Sequence, residues 1–204
     1  MRFADYRPPG ASISLYMDIG QGAGLAAASG IRPFLPPLLA GGLARGDIGL
    51  DFDGTSWHFL ESPGFLLAVF ALAVLSYGAE RSAPNRRPLE LTLAALGLAL
   101  GALLFAGSLA EGGREAWPGL LAGVACGSLA WLAVGGLLGR TRRRLDPDVE
   151  SLLALYAEGA ALLLAGLAIA LPPLSFLALV GLCVLAVGGR RQASRKYAGL
   201  RILR

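Results

Sequence analysis

Charged residues are scarce in this chain, and their absence from long stretches excludes an ordinary soluble domain. Only 16% of the 204 residues are Asp, Glu, Lys or Arg, and 55% are hydrophobic, whereas soluble domains carry about 25% charged residues. The mean hydropathy is +0.60. The net charge of +4 arises from short basic clusters between apolar runs. It therefore indicates membrane topology, and we expect no nucleic-acid partner.

Residues suited to metal, redox or catalytic chemistry are also scarce. The two cysteines, Cys126 and Cys183, lie inside apolar runs with no metal-binding spacing, which predicts small membrane-buried residues. The only histidine, His58, has no second histidine to share a metal with. No Ser/Lys, His-rich or paired-aspartate constellation is present. We therefore expect neither an enzyme nor a bound metal or cofactor. The polar start MRFADYRPPG predicts no signal peptide.

Apolar runs of membrane-crossing length dominate the rest of the chain. A transmembrane helix needs about 20 predominantly apolar residues. The pattern predicts an all-α fold, a polytopic transmembrane helix bundle of about six spans forming a single integral membrane domain over residues 1–204. The chain divides into an entry at 1–13, spans at 14–44, 64–79, 89–110, 119–139, 149–171 and 174–189, and a basic tail at 190–204.

The first apolar segment is the least regular. From Ser14 to Ala44 it would measure roughly 46 Å as one straight helix, against a hydrocarbon core of about 30 Å. Pro33, Pro36 and Pro37 lack the N–H groups that a continuous helix requires. We therefore predict that the first span is broken at Pro33–Pro37. Broken backbone is tolerated in a membrane only where protein or a water-filled cavity satisfies it.

The distribution of basic residues predicts an orientation. With six crossings, the basic turn at 81–87, the cluster at 140–144 and the tail lie on the same side as Arg2 and Arg7. By the positive-inside rule this side is the cytoplasm, so both termini are predicted to be cytoplasmic. If the first segment is instead a re-entrant hairpin, five crossings remain and the N-terminus lies outside. Only Arg2 and Arg7 argue against that alternative.

Four polar residues lie inside or beside the apolar spans: Asp18, Gln21, Arg32 and Glu158. A charge at a helix centre costs ~2.5–3.5 kcal/mol on insertion scales. We therefore expect Arg32 to pair with Glu158 or Asp18. The hypothesis is that a solute or ion path is lined by Asp18, Gln21, Arg32, Pro33, Pro36 and Glu158. The alternative is a salt bridge that only locks helices together.

Glycines recur at four-residue spacing in the third and fourth spans. Gly97 and Gly101 form one GxxxG pair, and Gly119, Gly123 and Gly127 continue the spacing. Such pairs let helix backbones approach closely, within one chain or between copies.

Two soluble-protein motifs are chance matches. Asp51-Phe52-Asp53-Gly54-Thr55 resembles a phosphatase nucleophile loop, but the next span begins too soon for the required sheet. The same loop lacks the glutamate of an EF-hand at its twelfth position, Ser62. The glycines at 20, 22 and 24 resemble part of a dinucleotide fingerprint but follow no strand.

The segment Gly30-Ile-Arg-Pro-Phe-Leu-Pro36, with FLESPGFLLAV and YAEGAALLLAG, resembles a family of small bacterial membrane proteins. That family is a domain of unknown function in the four-thousand series. The resemblance implies a bacterial inner-membrane location and a match of Glu80-Arg81 to an acidic–basic pair. It also implies that Glu158 is the first member of a Glu-Asp pair whose aspartate is replaced by Gly159. The resemblance implies a topology and no activity.

The function predicted best is a small channel or transporter for an ion or small solute. The alternative is a non-transporting membrane scaffold or assembly partner that packs through glycine-rich helix faces. The expected partners are the lipid bilayer and either further copies of the chain or other membrane proteins.

Overall fold

A computed structural model describes residues 11–82, 86–142 and 147–198, and these residues form helices and no strands. The predicted all-α bundle is confirmed. The helices are α1 (Ala11–Ile31), α2 (Leu35–Ala44), α3 (Pro63–Ser82), α4 (Arg86–Glu111), α5 (Trp117–Arg142), α6 (Pro147–Ala170) and α7 (Leu174–Ala198), with a short 3₁₀ helix at His58–Glu61.

Four of these helices are long and apolar enough to cross a membrane. These helices are α3, α4, α5 and α6, and α7 contains a shorter apolar stretch at Leu174–Gly188. The chain is therefore a membrane protein of the predicted class. Helix α1 does not reach the same hydropathy because glycine, serine and polar residues interrupt it.

Helix α1 is the centre of the bundle, which explains why it need not be strongly apolar. Every residue from Gly20 to Gly30 is buried, and α1 packs against α4, α5, α6 and α7 as well as α2. Protein atoms surround this part of α1, so small side chains that admit close neighbours serve it better than large apolar ones.

The glycine spacing is used for packing within the chain. A Cβ atom added at Gly30 would overlap the backbone of Gly127, so α1 and α5 approach this closely because residue 30 has no side chain. Gly97 and Gly101 contact Ser29 and Ala26 of α1 in the same manner. The predicted GxxxG packing thus joins helices of one chain.

The first segment is broken, as predicted, and the observed break at residues 32–34 covers fewer residues than the predicted break at Pro33–Pro37. Helix α1 ends at Ile31 and α2 begins at Leu35, with Phe34 as its N-cap. Pro33 lies in the break. Pro36 and Pro37 lie in the first turn of α2, where a missing N–H costs nothing because that turn has no intrahelical acceptor for it.

Helix α2 turns back alongside α1, so the first segment is a re-entrant hairpin. The Gln21 side-chain amide, in the first half of α1, donates a 2.8 Å hydrogen bond to the carbonyl of Gly49, which follows α2. Gly49 also contacts Ile169 near the end of α6. Within the described residues the chain therefore folds back at the break, which is the arrangement of the hairpin alternative.

The bundle has two ends, which we name the seal end and the cavity end. The seal end carries the start of α1, residues 45–62, and the turns at 112–116 and 171–173. The cavity end carries the break at 32–34, the last turn of α3 and the first turns of α4 and α6. Two contacts fix the assignment: Asp18 bonds to Arg114 at the seal end, and Arg32 bonds to Glu80 at the cavity end.

Residues 45–62, which we name the sealing loop, close the seal end. Leu50, Phe52 and Leu60 are fully buried and pack into a cluster with α1, α2, α4 and α6. Burying each such side chain stabilises the fold by about 2 kcal/mol. The loop is therefore an integral part of the core at that end.

Candidate functional site

Arg32 lies at the tip of the re-entrant hairpin and connects three elements. Its Nη1 atom is 3.5 Å from the Glu80 carboxylate in the last turns of α3. Its Nη2 atom donates a 3.4 Å hydrogen bond to the carbonyl of Ala154 in α6. The arginine side chain is 15% exposed and that of Glu80 is 39% exposed. The guanidinium charge is thus mostly enclosed by protein, while the Glu80 carboxylate beside it is partly exposed.

Two cavities adjoin this ion pair. The larger, about 460 Å³, lies between the tip of α1, the start of α4 and the second half of α5. The smaller, about 260 Å³, lies between the tip, α3 and α6. Arg32, Pro33, Glu80 and Leu93 line both cavities. The Arg32–Glu80 pair is therefore part of the partition between the two spaces.

Ionisable groups of both signs line the two cavities. Among the residues whose side chains the structure describes, Glu90 lines the larger cavity, Glu158 lines the smaller one, and Glu80 and Arg32 line both. Glu80 is paired with Arg32, and Glu90 also has an interaction partner. The site is therefore a polar cluster at the end of an otherwise apolar bundle.

Arg32 and Glu158 line the same cavity, as the path hypothesis requires, but the ion pair of Arg32 is with Glu80. The predicted choice of Glu158 or Asp18 as the partner is therefore wrong. Asp18 lies at the opposite end of α1, 3.3 Å from the Nε atom of Arg114. The error came from counting only intramembrane acids and so omitting Glu80, which ends the second apolar run.

The six predicted path residues divide into two groups. Arg32, Pro33 and Glu158 lie around the cavities. Asp18 and Gln21 hold the seal end closed, through Arg114 and Gly49 respectively. Pro36 is fully buried in α2 and contributes to packing. Glu80 was predicted only as part of the family's acidic–basic pair, and Glu90 and Tyr77 were not predicted as site residues. All three lie within two turns of a helix end, and the sequence signal they share is an acidic or aromatic residue near a basic turn.

Polar contacts fasten the sealing loop in addition to its buried side chains. The Glu111 carboxylate accepts a 3.0 Å hydrogen bond from the Asp51 amide. Arg114 also donates to the Ser14 hydroxyl at 3.1 Å. These contacts join the loop, the start of α1 and the α4–α5 turn, so the seal end can open only if several of them break together.

Three carboxylates of the sealing loop lie close together at the surface. Oxygen atoms of Asp51, Asp53 and Glu61 lie within 4.8 Å of one another. Desolvation raises the pKa of Glu61, and its hydrogen bond with Asp53 and the charges of Asp53 and Asp51 raise it further. By geometry the three groups are able to hold a cation, but exposed acidic clusters of this kind are common without one.

A family model described as "Domain of unknown function (DUF4126)" matches residues 19–191. The match begins within α1 and ends within α7, and it includes every residue that lines the two cavities. No curated protein and no solved structure matches the chain. The predicted resemblance to a family of unknown function is confirmed.

Proposed function

We propose a function from the geometry alone, because the chain belongs to the DUF4126 family and that membership assigns no activity. The protein is a small transporter that moves a solute through the space beside the hairpin tip. The observation that carries the proposal is the position of Arg32. It is a charge on broken backbone inside a membrane bundle, between two cavities rather than in a solid core. Such placement is typical of substrate and ion pathways.

The asymmetry of the bundle supports a transporter over an open channel. Both cavities lie at the cavity end, while Gly20–Gly30 of α1 is buried throughout and the sealing loop covers the other end. A solute that enters beside Arg32 therefore meets a closed barrier. Passage requires a second arrangement in which the sealing loop or the hairpin moves, and discontinuous helices at the binding site are common in proteins that work in this way.

The proposed orientation has the cavity end in the cytoplasm. The end of α3, the start of α4 and the ends of α5 and α7 carry basic residues, and all of these helix ends belong to the cavity end. By the positive-inside rule that end is cytoplasmic. Because the first segment is re-entrant, α1 then begins on the opposite side, and the sequence prediction of two cytoplasmic termini is revised. Arg2 and Arg7, which favoured that prediction, lie outside the described residues. The proposed membrane is the bacterial inner membrane.

The test is solute flux in proteoliposomes. The purified protein is reconstituted, and entry of protons, inorganic cations and organic cations is followed with dyes and tracers. The proposal predicts flux of at least one of these solutes, lost in Arg32→Gln and in Glu158→Gln and retained in Asp47→Asn, an exposed carboxylate of the sealing loop. Absence of flux for the whole panel, with correctly inserted protein, would defeat it.

A non-transporting scaffold is the second candidate, and one observation favours it. Only 6% of the apolar stretch Pro63–Glu80 of α3 is buried inside the bundle. Most of this helix can therefore contact lipid or another membrane protein. The glycines at four-residue spacing in α4 and α5, on which the scaffold alternative depends, already contact α1 or each other. A scaffold would therefore contact its partner through α3, and the purified protein would then give no solute flux in proteoliposomes.

A further inference from the structure

Helices α4 and α5 pack along two facing rows of residues at four-residue spacing. The α5 row is Gly119, Gly123 and Gly127, and these glycines lie against Ala106, Ala102 and Leu98 of α4 respectively. Residues four apart share one face of a helix, so Trp131 and Gly135 continue the α5 row toward the cavity end. A Cβ atom added at Gly135 would meet no atom of the described residues within 4 Å. The two helices have therefore separated by that point.

The side chain of Trp131 accounts for the separation. Small residues let helix backbones approach closely, and Trp131 is the first large residue in the row after three glycines. The larger cavity, of about 460 Å³, lies beyond these glycines, with Trp131 in its α5 wall and Leu93 and Ala94 in its α4 wall. We name this space the wedge.

The wedge is apolar at one end and polar at the other. Gly30 and Ile31 line its deep end, beside the contact of α1 with α5. Arg32, Glu80 and Glu90 line it at the cavity end, where α3 ends and α4 begins. A ligand that fits both ends has an apolar tip toward the bilayer centre and a polar part toward the bilayer surface.

The wedge is open to the bilayer along the gap between α4 and α5. Trp131 is 36% exposed and Leu132 is 45% exposed, and both lie in the apolar stretch of α5 that is long enough to cross a membrane. From Leu98 to Glu90 the α4 wall measures about 12 Å. The hydrocarbon of one leaflet, half of the bilayer core, is about 15 Å thick. The wedge therefore extends over most of one leaflet.

We propose that the wedge holds one acyl chain of a phospholipid from the leaflet at the cavity end. Water does not fill an apolar cavity, and an empty one leaves its wall atoms without contacts. The bilayer supplies acyl chains at the mouth, and their length and polarity match those of the wedge. An acyl chain is uncharged, so its binding does not depend on the ionised groups nearby. A helix from a partner, about 10 Å in diameter, is too wide to enter between helices that converge at Gly127.

This inference goes beyond the proposed function and holds whether or not the protein transports a solute. With an acyl chain in the wedge, the space left for a solute is the smaller cavity, which Glu158 and Tyr77 line. The two cavities then have different occupants, and the Arg32–Glu80 pair lies between them.

The experiment is photo-crosslinking with a phospholipid that carries a diazirine at the end of one acyl chain. The full chain in nanodiscs that contain this lipid is irradiated, and the adducts are located by mass spectrometry of its peptides. Adducts are expected on Ile31, inside the wedge, as well as on Leu163, which is 76% exposed on α6. Adducts on Leu163 with none on Ile31 would overturn the inference, whether the wedge then holds a small molecule, a segment of this chain or nothing.

Two variants remove the space. Ala94→Phe fills the wedge from the α4 wall, and Trp131→Gly extends the glycine row so that the helices can close. Each is expected to lower the yield of Ile31 adducts relative to Leu163 adducts by roughly tenfold, the change expected when about two methylene groups lose their burial. Ala71→Phe, the same substitution on the exposed face of α3, is the control and is expected to leave this ratio unchanged. A ratio equal to that of the wild type in both wedge variants would show that Ile31 is labelled by another route, and the inference would be wrong.

Discussion

The Arg32 guanidinium lies 3.5 Å from the Glu80 carboxylate and so joins the tip of the hairpin to the far end of α3. Helix α3 is mostly exposed along its apolar stretch, although Val69 packs with Phe34 and Leu100. The ion pair therefore adds a polar tie between this peripheral helix and the centre of the bundle, at the partition between two cavities. A ligand or a proton that alters this pair also alters the tie between α3 and the hairpin.

The first prediction concerns the energy of that ion pair. In a double-mutant cycle with Arg32→Gln and Glu80→Gln, the coupling in thermal stability in detergent is expected to be on the order of 1 kcal/mol, because removing one partner leaves the other charge without its contact. The control cycle, Arg32→Gln with Glu158→Gln, is expected to be additive within about 0.5 kcal/mol. Coupling found only in the control cycle would identify Glu158 as the partner instead.

The second prediction concerns topology. In a background with Cys126 and Cys183 replaced by alanine, cysteines placed at Ser14, Ser56 and Arg87, all exposed, are labelled with a membrane-impermeant maleimide. Ser14→Cys and Ser56→Cys are expected to label from the same side, because α1 starts at the seal end beside Arg114. Arg87→Cys is expected to label from the other side. Labelling of Ser14→Cys together with Arg87→Cys would restore the single-crossing first segment.

The third prediction tests the close approach of α1 and α5. Gly30→Ala is expected to destabilise the protein by at least 1–3 kcal/mol, the usual cost of overpacking, because the added methyl group overlaps the Gly127 backbone. Gly159→Ala, on a helix face with no neighbour within 4 Å, is expected to be neutral or stabilising by about 0.5–1 kcal/mol. Equal thermal shifts in the two variants would show that the α1–α5 contact is looser than described.

The fourth prediction concerns pH. The pKa of Glu61 is raised above 4.5 in the fold, so the folded state holds this proton more tightly than the unfolded state does. Wild-type stability therefore declines as the pH rises from about 4.5 through the folded pKa. The Glu61→Gln variant does not have this loss, so at neutral pH it should be more stable than the wild type by roughly a few tenths of a kcal/mol, a small difference because solvent screens the group. Below pH 4.5 the two proteins should be equally stable. A pH-independent difference in melting temperature would argue against this explanation.

The helix content was predictable from the length of the apolar runs, and the break near Pro33 was predictable from the missing proline N–H. The direction of α2 was not predictable from the sequence, because the same residues break a helix whether the chain then continues across the bundle or turns back. The hydrogen bond from Gln21 to Gly49 settles the direction, and it joins residues 28 positions apart. The Arg32 partner was missed for a related reason. Glu80 becomes a neighbour of Arg32 only once α3 runs from the seal end to the cavity end.

We infer that the hairpin tip faces a cavity open to water from one side only. The measurement that decides this is the rate at which a charged thiol reagent modifies Glu158→Cys, in the cysteine-free background, in right-side-out and inside-out vesicles. We expect modification from the cavity end at a rate within about tenfold of the exposed control Arg87→Cys, and slow modification from the seal end. Protection from both sides would mean a solid core and contradict a solute site, and equally fast modification from both sides would contradict the closed seal end.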